Sequence, residues 1–314
     1  MKNYSKGSEL DEQLIEKIKE LKEQQEAVIL AHNYQPPEIQ DIADFTGDSL
    51  GLSVKAAQTG AKLIVFCGVR FMAETAAILS PQKTVLLPDK FAGCPLADMI
   101  TADQLRQLKQ KHPDALVVCY VNSSAEVKAE SDYCCTSANA LQLVNSLPKD
   151  KPIIFVPDQN LGQFVAQKTG RNLILWPGWC HVHVTINEED INLAKAKYPD
   201  ALVLAHPECT TRVRNLADQI LSTSQMLKFA KQSDAKQFIV ATEAGMLHPL
   251  KKQNPQAEFI PASDRAICPN MKKITLEKVL WSFEDMHYKV TVPDMIRIKA
   301  KKALDRMIEV LPPK

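Results

Sequence analysis

KHPDALVVCYVN at residues 111–122 and KYPDALVLAHPE at residues 197–208 repeat the word PDAL 86 residues apart. Each time an apolar run follows and ends in a polar triplet, Tyr120-Val121-Asn122 in one and His206-Pro207-Glu208 in the other. A third copy without PDAL stands earlier, at VILAHNY (28–34), with the triplet His32-Asn33-Tyr34. The three runs VILAHNY, LVVCYVN and LVLAHPE start 88 and 86 residues apart. That self-similarity has the period of a small domain rather than of a solenoid unit.

The copies continue in parallel. A second apolar run follows in each, KLIVFCG (62–68), PIIFVPD (152–158) and QFIVATE (237–243), and then a third, TVLLPD (84–89), LILWPG (173–178) and EFIPAS (258–263). Helix-like stretches lie between them: GLSVKAAQTGA (51–61), ANALQLVNSL (138–147) and SQMLKFAKQ (224–232). Short β-branched runs alternating with helical segments predict parallel sheets built from βαβ units. Each copy reads as one βαβαβ unit, with helical linkers such as LADMITADQLRQLKQKH (96–112) between copies and LDEQLIEKIKELKEQQ (10–25) ahead of the first. The expected fold is α/β: three pseudo-threefold-related three-layer αβα sandwiches with parallel sheets, spanning residues 1–112, 113–198 and 199–314, the last carrying the C-terminal helices. Ligands gather at the carboxyl ends of parallel strands, so three such ends predict one site at the common centre.

Composition narrows the function classes. Of 314 residues, 45% are hydrophobic and 24% charged, as in an ordinary globular protein with a core. Lys and Arg number 38 against 37 Asp and Glu, a net charge of +1. No broad basic field is available for nucleic acid or an anionic membrane. No apolar run approaches the roughly 20 residues that span a bilayer, and MKNYSKGSELDEQ lacks the apolar core of a signal peptide. A cytoplasmic protein is expected, and its eight cysteines are then poor candidates for disulfides.

The repeat selects among those cysteines. One follows the third run of each copy: Cys94 (FAGCP), Cys180 (PGWCH) and Cys268 (AICPN), lying 62, 60 and 62 residues beyond His32, Tyr120 and His206. The other five do not recur, and Cys134 and Cys135 read as structural. Three converging thiolates suit zinc, which would want a fourth ligand, or an iron–sulfur cubane with one iron left open as a Lewis acid. The triplets supply His, Tyr, Asn and Glu at strand ends, a set able to donate, accept and transfer protons. A hydroxyl recurs 17 residues past each triplet's start, at Ser49, Ser137 and Thr223, beside a helical run. Ser and Thr are common helix caps, yet three helix N-termini aimed inward would also make an anion pocket.

These words together resemble the quinolinate synthase family over essentially the whole chain: AHNYQPPEIQDIADFTGDSLGLS, YVNSSAEVKAESDYCCTSANA, PDQNLG, GWCHVH, AHPEC, STSQM, ATEAGM and CPNMKKITLEKV. The resemblance implies three homologous α/β domains around one 4Fe–4S cluster held by three Cys, with one open iron. It implies condensation of iminosuccinate with dihydroxyacetone phosphate to quinolinate, phosphate and two waters, in de novo NAD biosynthesis, with L-aspartate oxidase as a functional partner. By motif it places the cluster on Cys94, Cys180 and Cys268. Ligands fall to His32, Tyr34, Ser49, Tyr120, Asn122, Ser137, His206, Glu208 and Thr223, proton transfer to Tyr34, His206 and Glu208, and a place near the cluster to His183. One word departs: Leu221 stands before STS where the family pattern has Gly. The rival readings are another three-Cys iron–sulfur hydro-lyase or condensing enzyme, a zinc enzyme, and a non-enzymatic iron–sulfur oxygen sensor.

Overall fold

The computed structural model describes residues 9–310. It contains three four-stranded sheets, all of their described pairings parallel. The first holds β1 (Ala27–His32), β2 (Phe45–Gly47), β3 (Leu63–Cys67) and β4 (Thr84–Leu86). The second holds β5 (Leu116–Tyr120), β6 (Tyr133–Cys135), β7 (Ile153–Val156) and β8 (Leu173–Leu175). The third holds β9 (Leu202–Ala205), β10 (Gln219–Ile220), β11 (Gln237–Ala241) and β12 (Glu258–Pro261). In each the second strand in sequence lies at one edge, giving the spatial order 2-1-3-4 three times over. Helices join all successive strands, and parallel pairing requires such crossovers.

Each repeat therefore has one strand more than the βαβαβ expected from the apolar runs. The extra edge strand is only two or three residues long (QI, FTG, YCC), too short to register as a run. A recurring aspartate pins it. Asp44, Asp132 and Asp218 each accept a hydrogen bond through Oδ2 from the backbone N–H of Ile29, Val117 and Val203, at 2.8, 2.8 and 2.7 Å. The amide of each Asp donates back to the carbonyl of that same residue. This double tie fixes the entry of the edge strand against the central one, and so fixes where the hydroxyl beyond it emerges.

The inner strands β3 and β7 are buried along their whole length, which is why they read as unbroken apolar runs. The third sheet shows the layering most clearly. Val203, Ala205, Ile239 and Ala241 point into one core, while the alternating Leu204, Phe238 and Val240 point into another on the opposite face. The chain's last helices do not stay with the third sheet. Helix Leu276–Asp285 packs on the N-terminal helix Glu9–Gln24, and helix Asp294–Glu309 packs on the Ala125–Ala129 helix and on β6. Asn139 anchors the end of this last helix by donating to Met307 O (3.0 Å) and Val310 O (2.8 Å). Among the described residues, no helix is long and apolar enough to cross a membrane.

Candidate active site

The central strands β1, β5 and β9 deliver the three triplets at their carboxyl ends. One cavity, with roughly 720 Å³ of empty space counting its mouth, is lined by residues of all three repeats. His32, Tyr34 and Ser49 come from the first, Tyr120, Asn122 and Ser137 from the second, and His206, Glu208 and Thr223 from the third. Cys94, Cys180 and Cys268 line it too, from the loops after β4, β8 and β12. These three cysteines are only partly buried, whereas the other five, Cys134 and Cys135 among them, are buried in or beneath the sheets.

Two of the three hydroxyls are freed from capping. Asp48 caps helix Ser49–Gln58 by accepting from Gly51 N at 2.8 Å, and Ser222 caps helix Thr223–Gln232. Ser49 and Thr223 are the first residues inside their helices, with their side chains at the cavity. Ser137 precedes the helix Ala140–Ser146 by three residues. Thr223 Oγ1 accepts from Asn33 Nδ2 at 2.9 Å. His206 Nδ1 accepts from Glu208 N at 3.3 Å, so the ring proton sits on Nε2 and is donated to Ser137 Oγ at 3.2 Å. Each of these hydroxyls already accepts, and its own proton is left for an anion. His32 repeats the device: its Nδ1 accepts from Tyr34 N at 3.1 Å, which leaves Nε2–H facing the cavity. Leu221, the departure from the family word, packs into the third sheet's core and donates its N–H to Ala205 O at 2.9 Å, so the turn into Thr223 is kept.

A chain of polar groups crosses the cavity wall. Tyr34 Oη lies 2.6 Å from Thr242 Oγ1, and Thr242 Oγ1 lies 2.9 Å from His183 Nε2. His183 Nδ1 lies 2.8 Å from Glu208 Oε2, and Glu208 Oε1 accepts from the Tyr120 hydroxyl. Burial works to raise the Glu208 carboxyl, but the facing His183 and His206 and the Tyr120 hydroxyl outweigh it and hold it at about 2. Burial and the charge of Glu208 push both Tyr34 and Tyr120 well above their ordinary range, so both phenols keep their protons. Burial, with Lys272 nearby for His32 and His183 nearby for His206, lowers both imidazoles to about 3. At pH 7 the Glu208 carboxylate thus shares the cavity with neutral His32 and His206 imidazoles and with the neutral Tyr34 and Tyr120 phenols.

Two carboxylates hold the cysteine loops. Asp158 Oδ2 accepts from Cys180 N at 3.1 Å, and Glu243 Oε1 accepts from Cys268 N at 2.9 Å. Glu243 also pairs with Lys272 (2.9 Å), which in turn donates to Tyr34 O and so ties the first triplet to the third cysteine loop. A side chain on Gly245 would lie 2.8 Å from Glu243, from Lys272 and from Tyr34 O, so only glycine fits beside this pair. Burial lifts the thiols of Cys94 (to about 12), Cys180 and Cys268. Thiols raised by burial ionise when a metal centre takes the proton's place. Three of them, one per repeat, on one cavity fit a metal group, and the ligand atoms of Cys180, His183 and Glu208 also lie within 4.8 Å of one another. Asp158, Thr242, Glu243 and Lys272 were not singled out in the sequence, although PDQ and ATE end the second apolar runs of the second and third copies.

Comparison with known proteins gives the chain's family. The family model described as Quinolinate synthetase A protein matches residues 16–309. A quinolinate synthase of Dehalococcoides mccartyi (strain CBDB1) is 56% identical over 295 residues, covering 94% of this chain and 97% of that protein. Quinolinate synthase 2 of Methanosarcina acetivorans is 54% identical over 305 residues, covering 97% and 98%. A quinolinate synthase of Geobacter metallireducens is 54% identical over 295 residues, covering 94% and 97%. With three parallel sheets, one shared cavity and this extent of identity, the chain belongs to the quinolinate synthetase A family.

Proposed function

We propose that this protein condenses iminosuccinate with dihydroxyacetone phosphate to give quinolinate, phosphate and two waters, the pyridine-forming step of NAD biosynthesis. The observation that carries the reading is the convergence of one cysteine, one triplet and one hydroxyl from each repeat on a single cavity. Cys94, Cys180 and Cys268 would hold a 4Fe–4S cluster, whose open iron supplies a Lewis acid for the departing hydroxyl.

The remaining work falls to this chain's own groups. Ser137 and Thr223, with their oxygens already accepting, donate protons to phosphate or carboxylate oxygens, and Ser49 at its helix start adds a third donor. Neutral His32 offers Nε2–H to a carbonyl or imine nitrogen without bringing a charge. Glu208 is the general base and Tyr34 the proton donor. They are linked through Thr242 and His183: Tyr34 Oη–H donates to Thr242, Thr242 to His183 Nε2, and His183 Nδ1 lies 2.8 Å from Glu208 Oε2. Dehydration needs a proton removed from carbon and one delivered to a leaving oxygen, and this wire connects the two stations. The cytoplasm is the setting proposed for this reaction. Its labile imine must be supplied by oxidation of aspartate, which makes L-aspartate oxidase the functional partner.

The test is product analysis. Anaerobically reconstituted protein, given iminosuccinate and dihydroxyacetone phosphate, is expected to release quinolinate and phosphate in equal amounts. Phosphate release without quinolinate, or no reaction in cluster-loaded protein, would overturn the assignment.

A further inference from the structure

Cys180, His183 and Glu208 share a geometry that three cysteine ligands alone do not call for. His183 and Glu208 side chains are only 2% and 3% exposed, and His183 Nδ1 lies 2.8 Å from Glu208 Oε2. Yet Nδ1 makes no aligned hydrogen bond. Buried polar atoms in proteins are nearly always paired. A ring nitrogen and a carboxylate oxygen this close, with no aligned hydrogen bond between them, suit a shared ion. The Cys180 thiol completes the trio, all three ligand atoms lying within 4.8 Å. Each is also supported from behind. Tyr120 donates to Glu208 Oε1 and leaves Oε2 forward, Thr242 Oγ1 sits 2.9 Å from His183 Nε2, and Asp158 Oδ2 holds Cys180 N at 3.1 Å. Outer partners of this kind orient metal ligands and fix the histidine tautomer.

We propose that, in the chain without its cluster, Cys180 Sγ, His183 Nδ1 and Glu208 Oε2 bind one divalent transition ion, zinc above all. One thiolate, one imidazole and one carboxylate with an open fourth position form the three-ligand pattern of accessible zinc centres. A sulfur and a nitrogen donor disfavour magnesium and calcium, which take oxygen. On binding, Cys180 gives its thiol proton to solvent, and the His183 proton moves from Nδ1 to Nε2, where Thr242 Oγ1 accepts it. Three bonds form from protein to zinc, and water fills the fourth place. Because Cys180 is shared, zinc and cluster exclude each other, a consequence that rests on the reading of Cys180 as a cluster ligand. Zinc-loaded protein would then resist reconstitution until the ion is chelated.

The experiment uses full-length, chelator-treated, cluster-free protein with Co²⁺ alone as the probe. Cobalt is expected to produce sulfur-to-metal charge transfer and intense d–d bands, and zinc to displace it. Cys180→Ala and His183→Ala should abolish these bands, and Thr242→Val should weaken cobalt binding about 10–100-fold. Cys94→Ala and Cys268→Ala, which remove cluster ligands but no zinc ligand, should leave the bands in place. Glu208→Gln keeps the side chain's shape and is read alongside His183→Ala, so that misfolding of one variant does not decide the matter. Absence of the bands in the parent chain overturns the proposal, as does their survival in His183→Ala and Glu208→Gln or their loss in Cys94→Ala and Cys268→Ala. A chain that makes quinolinate yet binds no cobalt overturns this site alone and leaves the proposed reaction standing.

Discussion

Asn33, the middle residue of the first triplet, is fully buried and reaches across the repeat boundary to hold Thr223. Its Nδ2 donates to Thr223 Oγ1 at 2.9 Å, so the threonine's proton points toward whatever anion the cavity takes. In Asn33→Ala the hydroxyl is free to turn, and the charge-assisted hydrogen bond to a phosphate oxygen is weakened or lost. Such a bond contributes about 1.5–3 kcal/mol, so binding of dihydroxyacetone phosphate should weaken by up to roughly 10–150-fold. Asn33→Asp should do worse, because a carboxylate would accept the Thr223 proton and reverse the polarity. The assay is calorimetric titration of dihydroxyacetone phosphate into four proteins: parent, Asn33→Ala, Thr223→Val and the double variant. If Asn33 acts through Thr223, its substitution in the Thr223→Val background should add no more than about 0.3–0.5 kcal/mol. An equal penalty in both backgrounds would refute the reasoning and make Asn33 a packing residue.

Cys94→Ala, Cys180→Ala and Cys268→Ala should each abolish iron–sulfur absorbance and activity, while Cys134→Ala and Cys209→Ala keep both; iron and sulfide analysis decides. Tyr34→Phe keeps the ring and removes only the hydroxyl that meets Thr242, so turnover should fall about 10²–10⁴-fold with substrate binding and cluster retained. In the cluster-free chain, His32 and His206 are held at about 3 against an ordinary 6.5, so they protonate more readily when unfolded. Their contribution is therefore complete above pH 6.5 and is lost as pH falls from there toward 3, by up to about 1.4 kcal/mol per pH unit for each histidine. Thermal melts across that window should show a shallower decline in His32→Gln than in the parent. Asp132→Ala removes the tie from β6 to Val117 N and should lower thermal stability while weakening ligand binding through a displaced Ser137.

Much of this architecture is legible in the sequence because parallel strands buried on both faces must be apolar throughout, and three copies of such runs align by eye. The common offsets brought together the three cysteines, the first and third residues of each triplet and Ser49, Ser137 and Thr223, and all of these line one cavity. The edge strands escaped notice because two or three residues carry no periodicity. Asp44, Asp132 and Asp218 mark those strands, each 12 residues past the start of its triplet, and were visible in principle. Thr242, Asp158 and Glu243 follow the third strands β7 and β11, where the first repeat has Gly68 and Val69 instead, so no threefold pattern marked them. Lys272 pairs with Glu243 only after folding brings two distant loops together, which no spacing rule encodes. The C-terminal helices follow the third sheet in the chain but pack on the other two repeats, because the apolar faces open to them lie there.

In the proposed reaction dehydration would turn on an open iron of the cluster, and that role can be observed directly. Protein reconstituted with ⁵⁷Fe should give a Mössbauer spectrum in which, on adding substrates, one iron site in four changes its isomer shift and quadrupole splitting while the three cysteine-bound sites stay as they were. A spectrum in which no site responds to substrate, although quinolinate forms, would contradict the Lewis-acid role assigned to the cluster.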